Sequence, residues 1–243
     1  MSILKNAVVT GGTKGIGRAI AEMLLEKGYY VVINYCRDEE SAEKMKADLA
    51  KYANQFITVK KDLSTYTNAI AFAKEVKGLI QGIDVLVLNA GQTDRSPFGS
   101  IKYESWERVM NINVNIPFCI TQELNDIINC HGRVVFTGSI LGVYPHSMSL
   151  AYGTSKAAVH HLAKSLVKDF ANRKITANAI LPGFVDTEWQ KNKPEEIRHN
   201  IEKKTALGRF ALPEEISKAV GYIIENEYIN GTLLEITGGY CFK

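Results

Sequence analysis

Short apolar runs rich in β-branched residues alternate with amphipathic stretches along nearly the whole chain, and this alternation limits the folds open to it. The runs at 7–10, 29–34, 56–59, 84–88, 134–137, 175–180 and 232–236 read as strands. The stretches at 18–27, 39–52, 67–80, 104–129, 151–172 and 213–225 read as helices, the last with Pro213 at its first turn. Strands joined through helices pair in parallel, because a parallel neighbour needs a long crossover connection. The run at 84–88 is almost continuously apolar, as expected of a strand buried on both faces. The expected fold class is therefore α/β, a doubly wound parallel sheet of about seven strands with helices on both faces. No Pro/Gly/Ser-rich linker or internal repeat interrupts the pattern, so residues 1–243 read as one domain. The polar stretch 188–204 lacks a core pattern and suits a mobile flap over the carboxyl ends of the strands.

The first run ends at Thr10 and opens into Gly11-Gly12-Thr13-Lys14-Gly15-Ile16-Gly17 before the first helix. A strand, a glycine turn and a helix N-terminus together make a phosphate cradle. Glycine lets the backbone approach, and the first helical N–H groups face the anion. The spacing is G-x-x-x-G-x-G, and a plain glycine-rich turn is the alternative reading of this loop.

A second group of residues suggests proton chemistry. Tyr152 and Lys156 lie four apart on a predicted helix and share a face. An ammonium beside a phenol favours the phenolate and lowers a pKa that is ordinarily about 10. Ser139, thirteen residues earlier, can offer a hydroxyl to the same oxygen. The chain has 11 Tyr and 29 Lys plus Arg, so pairs at this spacing also arise by chance, and the pair gains meaning only from its surroundings.

Composition excludes several other classes. A net charge of +3 without a basic cluster argues against nucleic acid. No apolar run is long enough to span a membrane and no signal-peptide core is visible, so a cytoplasmic protein is expected. Cys36, Cys119, Cys130 and Cys241 show neither C-x-x-C nor metal-ligand spacing to a histidine, so free thiols and no metal site are expected.

Taken together, these motifs resemble those of the short-chain dehydrogenase/reductase family, along the whole chain and in its order. The segment from Thr10 to Gly17 is similar to the family's cofactor loop, whose spacing it shares. Asn89-Ala90-Gly91 resembles the segment beside the cofactor's adenosine, and Asp62, followed by Leu63, resembles the acid that contacts adenine. Pro182-Gly183 with Val185 and Thr187 resembles the stretch that touches the nicotinamide carboxamide and the phosphates. The resemblance implies a Rossmann-type fold with Ser139, Tyr152, Lys156 and Asn113 as catalytic residues. Asn113 is chosen because it lies seven residues after Trp106, whereas Asn111 and Asn115 fall on the opposite helical face. The implied reaction is hydride transfer between a nicotinamide and a carbonyl/alcohol pair. In it Ser139 polarises the substrate oxygen, Tyr152 exchanges the proton, Lys156 lowers the Tyr pKa and holds the ribose, and Asn113 anchors a water.

The second strand ends at Asn34-Tyr35-Cys36-Arg37, with no acid before Asp38 to pair with a ribose 2′-hydroxyl. Lys14 and Arg37 can instead meet a 2′-phosphate, so NADP(H) is expected over NAD(H). The Pro-Gly-Phe-Val-Asp-Thr segment, Gly208-Arg209 and Gly238-Gly239 look most like 3-oxoacyl-[acyl-carrier-protein] reductases. That likeness implies a small-molecule or acyl-thioester substrate, acyl carrier protein as a partner and a homo-oligomer built through the long helices. Asp126 and Asn129-Cys130 depart from it, standing where such reductases carry bases, and Arg173 is left as the candidate basic contact. Two alternatives remain: a dehydrogenase of a polyol, steroid or other secondary alcohol, and a non-catalytic dinucleotide sensor or scaffold.

Overall fold

A computed structural model describes residues 5–191, 193–240 and 242; Cys241 lies outside them. Seven strands, β1 Asn6–Val9, β2 Tyr30–Tyr35, β3 Phe56–Lys60, β4 Ile83–Leu88, β5 Ile128–Thr137, β6 Thr176–Pro182 and β7 Leu233–Ile236, form one sheet in the order β3-β2-β1-β4-β5-β6-β7. Every pairing is parallel. The order reverses between β1 and β4, and the crevice where a ligand can enter opens beyond their carboxyl ends.

Alternate strand residues separate two cores, as a period of two requires. Val8, Leu86, Val134 and Phe136 pack against α3 (Tyr66–Leu79), α5 (Ile116–Glu123) and α6 (Leu150–Phe170). Val9, Val85, Val87 and Val135 meet α1 (Gly15–Glu26), α2 (Glu39–Asp48) and α9 (Pro213–Glu225). This is the doubly wound Rossmann-type architecture that the alternation predicted.

Three stretches differ from the reading by periodicity. The helix expected over 104–129 is three pieces: α4 (Tyr103–Met110), a π-helical turn Asn111–Asn115, and α5, which has Pro117 in its first turn. The strand expected at 134–137 begins six residues earlier, at Ile128. After the buried Ile128, residues 129–131 are exposed, with His131 at φ 63°, and the strand meets β4 with a register irregularity between Ile83 and Val85. The polar stretch 188–204, which periodicity left without a core pattern, carries two helices, α7 (Glu188–Lys191) and α8 (Glu195–Lys204), and lines the cleft. Ile201 anchors α8 in the interior.

Arg173, the candidate basic contact, also has a structural role. Its guanidinium donates to the carbonyls of Asn125 (2.6 Å) and Ile128 (3.2 Å) and to the Asn125 side chain, which fastens the turn into β5. Asp126 beside it pairs with Lys77.

Candidate functional site

The cleft over the strand ends encloses about 1000 Å³. Its floor is built at the first crossover. Thr10 Oγ1 accepts the backbone N–H groups of Asn89 (2.9 Å) and Ala90 (3.0 Å), while Asn89 Nδ2 donates to the carbonyls of Thr10 (3.1 Å) and Gly11 (3.0 Å). The glycine loop and the Asn89-Ala90-Gly91 segment are thus one hydrogen-bonded unit. Gly11 and Gly15 have φ of 61° and 54°, a region open chiefly to glycine. A Cβ on Gly17 would lie 2.2 Å from the Gly11 carbonyl oxygen and 2.5 Å from Asn89 Nδ2.

Of the residues expected to bind the cofactor, Gly11, Thr13, Lys14, Gly15, Ile16, Asn34, Tyr35, Arg37, Asp62, Leu63, Asn89, Ala90, Gly91, Pro182, Gly183, Val185 and Thr187 line this one cleft. Gly17 does not line it; its lack of a side chain serves the packing of α1 on the loop. The Asn34 amide, though at the wall, is engaged. It donates to the Lys61 carbonyl at 3.0 Å and faces Gly11 N–H at 3.4 Å, tying β2 and β3 to the loop. The two cations expected to meet a 2′-phosphate each hold an acid: Lys14 with Asp38 at 2.8 Å, and Arg37 with Asp62 at 3.1 Å. Lys14 holds the Asp38 carboxyl down at about 2. A glycine cradle at a helix N-terminus, a cation at the end of β2 and an open cleft fit a dinucleotide in both shape and charge.

Ser139, Tyr152 and Lys156 converge at the floor of the same cleft. Ser139 ends the turn after β5, and its hydroxyl accepts the Leu141 N–H at 3.2 Å and hydrogen-bonds the Tyr152 phenol. Lys156 lies 5.5 Å from the Tyr152 ring centre and donates to the Thr137 carbonyl at 2.6 Å. The phenol is not lowered as the sequence led us to expect. Burial pushes it up to about 12, opposed only by the Ser139 hydrogen bond, and burial also brings the Lys156 ammonium down to about 8. The reason is geometric: the ammonium is aimed at a carbonyl and not at the phenolic oxygen.

Asn113 is buried within the π-helical turn and does not line the cleft. Its amide donates to the Gln92 carbonyl and to Ser155 Oγ, both at 2.8 Å, and its Oδ1 accepts the Gln92 N–H at 2.8 Å. Both amide hydrogens are therefore engaged, so the side chain acts as a clamp between the loop after β4 and α6. Asn111 and Asn115 bond elsewhere, Asn111 to the Ser64 carbonyl at 2.7 Å and Asn115 to Asn111.

Two features escaped the sequence reading. Trp189 on α7 meets the Tyr152 ring edge-on at 6.4 Å, and His146, Phe184 and Tyr240 add aromatic wall. His160, one turn beyond Lys156, is buried, and its Nε2 accepts the Ser139 N–H at 3.3 Å. Gly138 and Gly142 make room for this imidazole, since a Cβ on either would lie 2.5 or 2.6 Å from it. The only hint in the sequence is the i, i+4 spacing of His160 from Lys156. Among the described residues no group of three or more potential metal ligands forms, and Cys36, Cys119 and Cys130 are free thiols.

The model of the short chain dehydrogenase family matches residues 5–198, which span the glycine loop, the Asn-Ala-Gly segment and the Ser–Tyr–Lys group. The chain belongs to the short-chain dehydrogenase family. It is 34% identical over 239 residues to a 3-oxoacyl-[acyl-carrier-protein] reductase of Aquifex aeolicus, covering 97% of this chain and 96% of that one. It is 32% identical to a hydroxynaphthalene reductase-like protein of Metarhizium majus, at 97% and 94% coverage. The solved structure of a Pseudomonas aeruginosa RhlG/NADP active-site complex superposes with a TM-score of 0.89 at 31% identity, covering 97% and 96% of the two chains. As a member of this family, the chain is an oxidoreductase. No helix among the described residues is long and apolar enough to cross a membrane.

Proposed function

We propose that the whole chain works as one Rossmann-type domain, an NADPH-dependent reductase of 3-oxoacyl thioesters. The observation that carries the reductase reading is the convergence of Ser139, Tyr152 and Lys156 beside a glycine cradle in one cleft. The nicotinamide cofactor supplies the hydride. Everything else falls to the protein's own groups. Gly11, Gly15 and the first turn of α1 hold the phosphates, and Lys14 and Arg37 favour a 2′-phosphate. Ser139 donates to the carbonyl oxygen, which becomes more basic as it gains charge. Tyr152 then passes its phenolic proton to that oxygen.

A phenol at about 12 is fully protonated at neutral pH, the form that a reduction needs. Lys156 remains largely an ammonium close to the ring, so it stabilises the negative charge that builds on Tyr152 as the proton leaves. Asn113 holds the Gln92 loop against α6 and keeps the floor in register.

The thioester substrate is favoured by the likeness to the Aquifex reductase. The likeness to the hydroxynaphthalene reductase-like protein and the aromatic wall of Trp189 and Phe184 favour the second reading, a cyclic or aromatic ketone or secondary alcohol. A soluble cytoplasmic homo-oligomer, with acyl carrier protein delivering the substrate, completes the first reading.

The test is oxidation of NADPH and NADH with acetoacetyl thioester, alongside Tyr152→Phe. NADPH-dependent turnover that disappears in the variant supports the reading. Cofactor binding without thioester turnover refutes the substrate and leaves a secondary alcohol.

A further inference from the structure

The substrate side of the cleft carries charge that hydride and proton transfer do not use. Beyond Tyr152 the wall is made by the loop after β4 and by the segment from α7 into α8, which bring in Arg95, Lys193 and Lys204. None of these three has a carboxylate within ion-pair distance among the described residues. The acids that line the cleft are engaged elsewhere: Asp38 with Lys14, Asp62 with Arg37 and Glu188 with Lys191. Asp94, beside Arg95, accepts the Ser96 N–H at 2.9 Å and interacts with Arg108. Arg95 and Lys193 both line this cleft, and partial burial with the charge of Arg95 holds the Lys193 ammonium below its ordinary value. Like charges held together without a counter-ion raise the free energy of the empty cleft, and an anion between them lowers it.

Resting on the thioester reading above, we infer that Arg95 and Lys193 form an anion subsite at the mouth of the cleft that takes the phosphate of the substrate's phosphopantetheine arm. Trp189 packs on Tyr152, and Lys193 follows one turn later, its N–H donating to the Gln190 carbonyl at 3.1 Å. One continuous segment of the cleft lining thus joins the Tyr152 ring to the Lys193 cation, a path that a long thioester arm can follow. A neutral cyclic ketone has no charge to place there. Coenzyme A thioesters and carrier-protein thioesters share this arm phosphate.

The test compares kcat/KM for acetoacetyl-phosphopantetheine and uncharged acetoacetyl-pantetheine, in the wild type and in Arg95→Gln/Lys193→Gln. A charge-assisted contact predicts that the wild type prefers the phosphorylated substrate by about tenfold or more, chiefly through KM. The ratio should fall towards one in the variant and in 0.5 M salt, which screens it. A wild-type ratio near one, or a ratio the variant leaves intact, overturns the subsite. Acetoacetyl-coenzyme A and acetoacetyl carrier protein are run beside them. Equal losses with both support binding of the shared phosphate, whereas a loss confined to coenzyme A overturns that assignment.

If no thioester is turned over, the substrate reading fails, and the subsite is then judged by calorimetry on the NADPH complex. Tighter binding of pantetheine 4′-phosphate than of pantetheine, lost in the variant, still supports an anion subsite; equal binding overturns it. Should the double variant fail to fold, the single variants and the salt dependence of the wild-type ratio decide.

Discussion

His160 makes the stability of the fold depend on pH in a way that one substitution should remove. Its imidazole accepts the Ser139 N–H at 3.3 Å and is held down at about 4, first by burial and then by the charges of Lys156 and Lys164. The folded state thus binds a proton at His160 less readily than the unfolded chain, where the ordinary value is 6.5. The stabilisation is fully present above pH 6.5 and is lost progressively as the pH falls towards 4. That gap, at about 1.4 kcal/mol per pKa unit, amounts to roughly 3 kcal/mol in full and about 2 kcal/mol between pH 7.5 and pH 5. For a chain of this size a loss of 2 kcal/mol lowers Tm by roughly 4–8 °C. In His160→Gln the side chain carries no titrating group, while its carbonyl can still accept the Ser139 N–H. The assay is urea unfolding at fixed protein concentration at both pH values, for wild type and variant. Other titrating groups contribute equally to both proteins, so the difference between their pH slopes isolates His160. Identical slopes would refute the reasoning.

Tyr152→Phe removes the transferable proton and should lower kcat by about 10²–10⁴-fold, while NADPH binding, read by its fluorescence, is retained. Gly17→Ala forces a Cβ to 2.2 Å from the Gly11 carbonyl oxygen, so NADPH affinity should fall at least about tenfold, with a lower Tm in the same sample. Asp38→Asn removes the carboxylate that occupies Lys14 and should raise the NADPH-over-NADH preference in kcat/KM by about fivefold, an amount scaled for an exposed charge; an unchanged ratio would show that Lys14 does not meet a 2′-phosphate.

The order of elements was legible because a buried parallel sheet imposes a strong pattern: Val8, Leu86 and Val134 face one core while Val9, Val87 and Val135 face the other. The misread stretches are those where polar residues have tertiary partners. Residues 111–115 keep helical periodicity, yet the turn widens around Asn113, which is fastened to Gln92 and Ser155. In β5 residues 129–131 are exposed, so no apolar alternation links Ile128 to the core run that follows. Among the described residues of 188–204 only Ile201 is buried, so no apolar pattern marks α7 and α8, and the contacts that place them are tertiary, such as that of Trp189 with Tyr152.

By itself the sequence determined the α/β alternation, the glycine cradle and the Ser–Tyr–Lys group, because these depend on local backbone conformation and fixed spacing. Tertiary structure alone decided the electrostatics. Lys156 is aimed at the Thr137 carbonyl, burial raises the Tyr152 phenol, His160 is fixed behind Ser139, and Lys14 and Arg37 are each held by an acid. Charge interactions act through space and through the depth of burial, and neither quantity is encoded in the spacing of residues along the chain.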